Sequence, residues 1–504
     1  MTFEKLRHIG SVCVLGLGIT GQALCRLFAA WPPERLTVYA PEASTKGLPA
    51  DIKLPPQTRI IEREEDLERL GDGHIPFDLC LASPGIPQTG TLYQRARALS
   101  LELISEAELA WRLSPERWIV ITGTNGKTTT TAYTAHLLNT AGIVARSAGN
   151  IGTPCIDAIQ QRAAGEYLIA ELSSFQLASS PSLAPQAAVL LNITPDHLAW
   201  HGGLAAYQTA KSSFVQRMAP DALVVVDATL PLTRELYRGW LSAGRRVVAL
   251  GTSSGLFESM ATRCGAPEAA WVQAANGRLS ITLRAGNFEL AAIDELRVQG
   301  EHNAEDALAA ATVALDLGAT PEQVAVGLRS FEPLAHRIEP LATVAGVSYV
   351  NDSKATNPEA SVKALTAFPA GSVVLMLGGR DKNTSLDELV AAARNTCHAV
   401  ICYGEAGPRF AAAFREAGRY CSGEDAAPPA AAPPAASSDL ALFLESGFDA
   451  AFAAASAAAR PGSVVLLSPA CSSYDEFVDY EQRGAHFREL VFALAQKQEV
   501  RDGS

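Results

Sequence analysis

The residues TGTNGKTTT at positions 122–130 constrain the fold of this chain more than any other segment. An apolar run at residues 118–121 precedes them and a helical pattern follows. A glycine turn between a strand and a helix presents backbone N–H groups, and the helix dipole, to phosphate oxygens. Lys127 would contact the β- and γ-phosphates and Thr128 would bind Mg²⁺. Because Ile121 replaces the first Walker glycine, the motif is a shortened variant; the alternative is a glycine turn with an incidental lysine.

A second glycine turn, GLGITG at residues 16–21, follows the apolar run 12–15 and precedes a helix. The pattern is typical of a dinucleotide site, but NAD sites also carry an acidic residue after the second strand to bind the ribose. That strand ends here in Tyr-Ala-Pro at residues 39–41, and Glu42 lies beyond the proline. We therefore expect the loop to bind another diphosphate, with NAD as the alternative.

Two polar residues follow strands in the segment that carries the phosphate loop. Glu171 ends the apolar run 167–171, and His197 follows the run 187–192. Because parallel strands end at the same edge of a sheet, both side chains are expected near the metal of bound ATP. A purely structural role is the alternative for His197. Lys211, in YQTAKSSF, has the pattern of an ordinary exposed helical lysine.

The last third of the chain contains three polar loops that each follow an apolar run. They are NDSKATN (351–357), LGGRDKN (377–383) and SPACSSYDEF (468–477). Asp352, Lys354, Lys382 and Ser473 would then lie at one edge of a further parallel sheet, facing the ATP domain across a cleft. Three unrelated polar loops are the alternative.

Alternating apolar strands and helical stretches along 504 residues predict an α/β protein of three domains. We place these domains at residues 1–113, 114–335 and 336–504. Residues 422–438, SGEDAAPPAAAPPAASS, are rich in Ala and Pro and are predicted to be a flexible insertion.

The net charge of -12 argues against a nucleic-acid or anionic-membrane partner. No apolar stretch is long enough for a membrane span, and the N-terminus reads as a first strand, not an export signal. The nine cysteines show no metal or redox spacing, so we expect buried thiols and a cytoplasmic protein.

Taken in order, the motifs resemble those of the Mur ligase family. They are GLGITG, SPGIP, GTNGKTT, GNIGTP, ELSSFQL, NITPDH, EHNAED, HRIE, NDSKATN, LGGRDK and SPACSSYDEF. The resemblance implies an N-terminal Rossmann-like domain that binds a UDP precursor, a central P-loop ATPase-like domain and a C-terminal Rossmann-like domain that binds an amino acid. Within the family the motifs are most similar to those of the branch that adds D-glutamate to UDP-N-acetylmuramoyl-L-alanine through an acyl phosphate. We further expect a monomer.

The resemblance also implies roles for individual residues. ATP would be bound by Gly123, Thr124, Asn125, Gly126, Lys127, Thr128, Thr129, Asp306, Arg337, Asp352 and Lys354. Two Mg²⁺ ions would be held by Thr128, Glu171, His197 and a carbamylated Lys211. The residues implied to be catalytic are Lys127, Glu171, His197 and Lys211. The UDP precursor would contact Ile19, Thr20, Asn150, Ser173 and Gln176, and D-glutamate would contact Thr356, Lys382, Ser473 and Tyr480.

Three positions depart from the family pattern. No acidic residue stands near Ala40 for the uridine, Asp306 replaces an asparagine, and Tyr480 replaces a phenylalanine. Other functions remain as alternatives. A folylpolyglutamate synthase lacks the first glycine-loop domain, an L-lysine or diaminopimelate ligase typically carries a DNPR motif that is absent here, and a nucleotide-driven switch needs no amino-acid pocket.

Overall fold

Three β-sheets, each dominated by parallel strands, organise the computed structural model of the chain. The structure describes residues 2–41, 54–70, 75–251, 268–273, 276–298, 300–381, 385–417, 420–422 and 440–502. Contacts divide the chain into two compact units. Unit 1 comprises Met1–Leu296 with Asn303–Phe331, and unit 2 comprises Arg297–His302 with Glu332–Ser504.

The first sheet of unit 1 has five parallel strands in the order β3-β2-β1-β4-β5. The strands are β1 (Ser11–Leu15), β2 (Arg35–Tyr39), β3 (Arg59–Ile61), β4 (Phe77–Ala82) and β5 (Ser100–Ile104). Reversal of strand order beside β1 is the Rossmann arrangement, in which ligands bind at the carboxyl ends of the strands next to the reversal. The GLGITG turn follows β1 and the SPGIP turn follows β4, so both predicted loops lie at that point.

The second sheet of unit 1 has nine strands in the order β14-β13-β12-β11-β10-β9-β6-β8-β7. They are β6 (Trp118–Thr122), β7 (Ala145–Gly149), β8 (Tyr167–Glu171), β9 (Ala187–Leu190), β10 (Leu223–Asp227), β11 (Val247–Gly251), β12 (Ala269–Val272), β13 (Arg278–Leu283) and β14 (Gly286–Ala292). Strands β6 to β12 pair with one another in parallel. Strand β13 pairs antiparallel with both β12 and β14. Strand β6, between β9 and β8, is buried along its whole length, as a strand covered on both faces must be.

The sheet of unit 2 has seven strands in the order β15-β16-β21-β17-β18-β20-β19. They are β15 (Glu339–Val344), β16 (Val347–Asn351), β17 (Val373–Gly378), β18 (Cys397–Tyr403), β19 (Tyr420–Ser422), β20 (Leu440–Leu444) and β21 (Val464–Leu467). Among the strands that the structure describes in this sheet, β15 alone pairs antiparallel, with β16. Apolar clusters cover both faces of this sheet, and central strand β17 is fully buried.

The helices cover these sheets. In the first part of the chain they are α1 (Phe3–Leu6), α2 (Ile19–Ala30), α3 (Glu64–Glu68), α4 (Thr91–Ala98), α5 (Glu106–Leu113), α6 (Lys127–Thr140), α7 (Cys155–Gln160), α8 (Ser174–Ala178), α9 (Leu198–His201), α10 (Leu204–Ser212) and α11 (Pro231–Ser242). They continue as α12 (Glu301–Asp316), α13 (Pro321–Ser330), α14 (Pro358–Leu365), α15 (Asp387–Thr396), α16 (Gly407–Glu416), α17 (Phe448–Ala458) and α18 (Tyr480–Asp502). Short 3₁₀ helices span Ser213–Arg217 and Ile293–Glu295.

The predicted α/β class with three mainly parallel sheets is confirmed. The domain boundaries placed at residues 113 and 335 stay predictions, since contacts separate two units and not three domains. The predicted insertion at residues 422–438 lies outside the described residues except for Ser422, which ends strand β19. The seven cysteines whose side chains are described are free and buried, as expected. Within the described part of the chain, no helix combines the length and apolarity that a membrane crossing requires.

Candidate active site

The phosphate loop lies between buried strand β6 and helix α6, and two of its glycines adopt backbone angles that L side chains rarely adopt. Gly123 has φ +153° and Gly126 has φ +83°. A Cβ atom on Gly126 would lie 2.4 Å from Oδ1 of Asp306, so a side chain there would require Asp306 to move. The loop thus keeps an open backbone surface directly before the first turn of α6, where helix N–H groups attract anions.

Residues from the next strand end hold the loop in this shape. Asn192 accepts from the Asn125 N–H through Oδ1 at 2.8 Å, and its carbonyl accepts from the Thr124 N–H at 2.8 Å. The Thr124 hydroxyl lies 2.9 Å from the Tyr207 hydroxyl. Neither Asn192 nor Tyr207 was selected from the sequence, because only the fold brings them to the loop.

Two lysines converge on one carbonyl oxygen of this loop. Lys127 Nζ donates to the carbonyls of Gly123 at 3.0 Å and Thr124 at 2.7 Å. Lys211 Nζ donates to the same Gly123 carbonyl at 2.6 Å. Lys127 Nζ therefore lies where its charge can neutralise phosphate oxygens of a nucleotide on this loop, with Lys211 Nζ beside it.

The expectation that Lys211 is an exposed helical lysine is wrong. Its side chain is buried, and Nζ lies 4.9 Å from the centre of the Tyr207 ring. Burial, reinforced by the charge of Lys127, lowers the pKa of Lys211 well below its usual value, while Asp196 and Glu171 oppose the shift. The amine is consequently poised to be neutral, and it lies within electrostatic reach of the predicted metal carboxylate Glu171.

Glu171 is the last residue of strand β8, which pairs with β6, the strand before the phosphate loop. Its carboxylate is buried. Asn150 Nδ2 donates to its Oε1 at 2.8 Å. Asn150 was predicted to contact the muramoyl side of the precursor; its visible contact is with Glu171. Ser173 and Gln176, predicted for the same contact, form the capping box at the start of α8.

His197 lies just before helix α9 in a left-handed backbone conformation with φ +53°. Its Nε2 lies 3.4 Å from Oδ2 of Asp196, and its ring packs edge-on against Phe175. His201, four residues on, bonds the Ser174 hydroxyl at 2.9 Å, and burial lowers its pKa to about 4. His201 therefore stays neutral at physiological pH and serves as a packing and hydrogen-bonding group.

Asp306 reaches the phosphate loop from helix α12. Its Oδ1 accepts from the Thr130 hydroxyl at 2.9 Å, and it lies against Gly126. The family asparagine predicted at this place is thus replaced by a carboxylate bonded to the helix that follows the loop. Thr128 is half-buried and Thr129 buried in the first turn of that helix.

The GLGITG loop is built for close backbone contact. A Cβ atom on Gly21 would lie 1.9 Å from the Gly16 carbonyl oxygen, and Gly16 has φ +90°. Ile19 and Thr20 form the first turn of α2, with Ile19 largely exposed. Ala40 is buried at the end of the second strand, and Glu42 lies outside the described residues.

In unit 2, residues predicted to belong to the site lie at the carboxyl ends of β16 and β21. Asp352 accepts from the Ser468 hydroxyl at 2.7 Å and the Ile338 N–H at 3.3 Å. Burial raises its pKa to about 7, against the lowering effect of Arg337 and Arg483. Arg337 therefore lies within electrostatic range of Asp352.

The predicted D-glutamate residues are only partly described. Ser473 is buried after β21, Thr356 is half-buried after β16, and Tyr480 begins helix α18. Lys382 lies outside the described residues. Sequence reasoning missed Arg483, which is fully buried and donates to the Ser353 hydroxyl at 2.9 Å and to the carbonyls of Ser353 and Cys471. It ties the loops after β16 and β21 to the last helix.

The donor set fits a magnesium ion that is bound together with a nucleotide. Among the described side chains, no group of three or more His, Cys, Asp or Glu is placed to hold a metal ion. Mg²⁺ in nucleotide sites usually has one or two carboxylate ligands together with phosphates and water. Glu171 beside the open glycine loop matches that requirement.

A parallel sheet with a glycine turn, a helix N-terminus and two converging lysines defines a P-loop nucleotide-binding protein. The family model described as "Mur ligase middle domain" matches residues 121–314. The one described as "Mur ligase, glutamate ligase domain" matches residues 336–471. The chain belongs to the Mur ligase family.

Relatives match most of the chain. UDP-N-acetylmuramoylalanine–D-glutamate ligase of Frankia casuarinae is 36% identical over 96% of this chain and 94% of its own length. The ligase of the same name from Acidobacterium capsulatum is 35% identical over 96% of each. MurF of Acinetobacter baumannii has a similar fold, with a TM-score of 0.56 at 16% identity over 97% of this chain and 93% of that one. MurF ligase of Thermotoga maritima, solved in complex with ADP, has a TM-score of 0.56 at 15% identity over 99% of this chain and 97% of that one.

Proposed function

We propose that this chain joins D-glutamate to UDP-N-acetylmuramoyl-L-alanine in peptidoglycan synthesis, with conversion of ATP to ADP and phosphate. Relatives with this activity in their names match it nearly end to end. The observation that carries the proposal is the convergence of Lys127 and Lys211 on the Gly123 carbonyl, with Glu171 nearby. The charge of Lys127 in this cluster suits transfer of a γ-phosphoryl group, whose transition state spreads negative charge over its oxygens.

The first step activates a carboxylate, which is unreactive toward amines at neutral pH. An oxygen of the precursor's L-alanyl carboxylate attacks the γ-phosphorus of ATP, ADP leaves and an acyl phosphate forms. The loop residues 123–129 would bind the phosphates, with Lys127 neutralising charge on the transferred group. Asp306, Arg337, Asp352 and Lys354 are proposed to contact the rest of the nucleotide. Magnesium, when bound, supplies further neutralisation of the phosphates, with Thr128 and Glu171 as the proposed ligands.

The second step forms the amide. The amine of D-glutamate attacks the acyl carbon, the tetrahedral intermediate expels phosphate, and the nitrogen loses a proton. His197, next to Asp196 and partly exposed, is proposed to stabilise the charge on the intermediate. Thr356, Lys382, Ser473 and Tyr480 are proposed to bind the amino acid, whose two carboxylates need a cation and hydroxyl donors.

We propose that Lys211 is carbamylated and that it serves a second Mg²⁺ together with His197. Its neutral amine would attack CO₂ and lose a proton, which leaves an anionic carbamate on the nitrogen. The burial that lowers the Lys211 pKa supports this step, because only the unprotonated amine is a nucleophile. The carbamate would supply an oxygen ligand beside Glu171, although the residue encoded at this position is a lysine.

The precursor's UDP is proposed to bind at the GLGITG loop, where Ile19 and Thr20 stand in the first turn of α2. A helix N-terminus behind two close-packed glycines suits a pyrophosphate. Asn150, Ser173 and Gln176 remain proposed contacts of the muramoyl side. We place the reaction in the cytoplasm and propose a monomer.

The test is a panel of amino acids assayed for phosphate release with UDP-N-acetylmuramoyl-L-alanine and ATP. Release is expected with D-glutamate and only when the precursor is present. A preference for L-lysine or diaminopimelate would contradict the proposal. Phosphate release from ATP alone, at the rate seen with both substrates, would indicate a nucleotide-driven switch.

A further inference from the structure

The ammonium group of Lys354 lies over the face of an aromatic ring. Its Nζ is 3.7 Å from the centre of the Tyr480 ring. Lys354 follows strand β16, whereas Tyr480 is the first residue of helix α18, more than a hundred residues later in the sequence. At this separation the ring quadrupole attracts the cation, and it also restricts where a flexible four-carbon side chain can move.

The backbones of both residues are fixed by the same small network. The Lys354 N–H donates to the His336 carbonyl at 3.1 Å. The Ser353 hydroxyl donates to the Tyr480 carbonyl at 2.8 Å and accepts from Nε of buried Arg483 at 2.9 Å. The start of α18 is therefore anchored to the residue directly before Lys354.

The ring itself is held in orientation from two sides. The Tyr480 hydroxyl donates to Oε1 of Glu481 at 2.9 Å. The His336 ring meets the Tyr480 ring nearly at right angles, with centroids 6.3 Å apart. The phenol oxygen, present where the family pattern has phenylalanine, thus adds a tether that keeps the ring face beneath the ammonium group.

We propose that Tyr480 is a positioning residue that acts through Lys354, so that one side chain couples the amino-acid subsite to the nucleotide subsite. The inference rests on the proposed function, which assigns Lys354 to ATP and Tyr480 to D-glutamate. The ring holds the lysine in the conformation that meets the nucleotide. Removing the ring removes this contact with the Lys354 ammonium group, and ATP binding weakens even in the absence of the amino acid.

The experiment measures the Kd of the full-length protein for the β,γ-methylene analogue of ATP with Mg²⁺, by titration calorimetry without D-glutamate. Tyr480→Leu is expected to raise this Kd about three- to tenfold, the range of a cation–π contact of moderate strength. Tyr480→Phe keeps the ring face and is expected to recover most of the lost affinity. Phe492→Leu changes a half-exposed aromatic on the same helix and is the control expected to match wild type.

A double-mutant cycle separates positioning from a general structural defect. In a Lys354→Met background, Tyr480→Leu is expected to change the analogue Kd no further, because the residue through which it acts is absent. Equal fold-changes with and without Lys354 would overturn the proposal. Melting temperatures identify variants that do not fold, and Tyr480→Gln, which also removes the ring, then replaces Tyr480→Leu in the cycle.

The outcome is distinguishable from failure of the proposed function. If wild-type protein releases phosphate with D-glutamate but Tyr480→Leu raises only the KM for D-glutamate, the ligase assignment stands and the coupling is overturned. If the wild-type protein fails to use D-glutamate and the cycle still shows that Tyr480 acts through Lys354, the positioning role stands and the amino-acid assignment falls.

Discussion

Lys211 and Gly123 are joined by a 2.6 Å hydrogen bond from Nζ to the carbonyl oxygen, across 88 residues of sequence. Lys211 belongs to helix α10, and its buried side chain reaches the phosphate loop through this bond. Burial, and then the charge of Lys127 on the same Gly123 carbonyl, lower the pKa of Lys211 and so favour its neutral form.

Lys211→Ala is expected to abolish turnover, since it removes the group proposed to become a metal-site carbamate. Acetate or formate added to the vacant space should restore part of the rate, and depletion of CO₂ should lower wild-type activity reversibly. Phosphate release measures both effects. Lys5→Ala, an exposed lysine in helix α1, is the matched control expected to leave activity unchanged. Near-normal turnover of the Lys211 variant would refute the carbamate assignment.

Gly126→Ala is expected to weaken binding of a magnesium ATP analogue at least tenfold. The added Cβ would meet Asp306 Oδ1 at 2.4 Å, and the φ of +83° costs a non-glycine residue on the order of 1 kcal/mol even without that clash. Gly142→Ala tests the left-handed conformation alone, because its φ is +79° and nothing lies within 4 Å of its Cβ position. Calorimetric titration should show unchanged affinity for the control and weak affinity for Gly126→Ala; equal affinities would show that the loop tolerates a side chain.

The sequence predicted those parts of the fold and site that depend on local signals. Strand β6, its glycine turn and helix α6 lie next to one another in the chain, so their pattern is complete within about fifteen residues. Lys211 was misjudged because helical spacing around it does not reveal what the helix packs against. Asn192, Tyr207 and Arg483 were missed for the same reason: each acts on a loop from a distant segment. The antiparallel hairpin β13–β14 was also not foreseen within a sheet expected to be largely parallel.

The GLGITG loop is expected to discriminate between diphosphate ligands. Of the described residues that directly follow the second strand, Ala40 and Pro41, neither offers a carboxylate to the ribose hydroxyls of NAD. Titration with UDP-N-acetylmuramoyl-L-alanine should therefore show binding, and titration with NAD or NADH should show none. Thr20→Asp, which places a carboxylate in the first turn of α2, should weaken precursor binding by repulsion of the pyrophosphate. Tight binding of NADH by wild type would contradict the assignment.

A buried carboxyl in unit 1 should make stability depend on pH. Glu106, at the start of α5, is buried and accepts from the Ile156 N–H of α7 at 2.5 Å. Burial, with a smaller contribution from Asp157, raises its pKa to about 7, whereas the unfolded chain has the usual value near 4.3. Between these values the folded state binds a proton that the unfolded state does not, so this contribution to stability is complete below the lower pKa and is lost as pH rises through the upper one. The free energy of unfolding should fall by up to about 1.4 kcal/mol per pH unit in that window.

Glu106→Gln removes the titration and keeps an oxygen for the Ile156 N–H. The variant should resemble wild type near pH 4.5 and become more stable than wild type by pH 8, as measured by melting temperature across the series. Glu116→Gln, an exposed carboxyl that follows the same helix, should track wild type at every pH. If the difference between Glu106→Gln and wild type stays constant from pH 4.5 to pH 8, Glu106 does not bind its proton in the folded state as its burial requires.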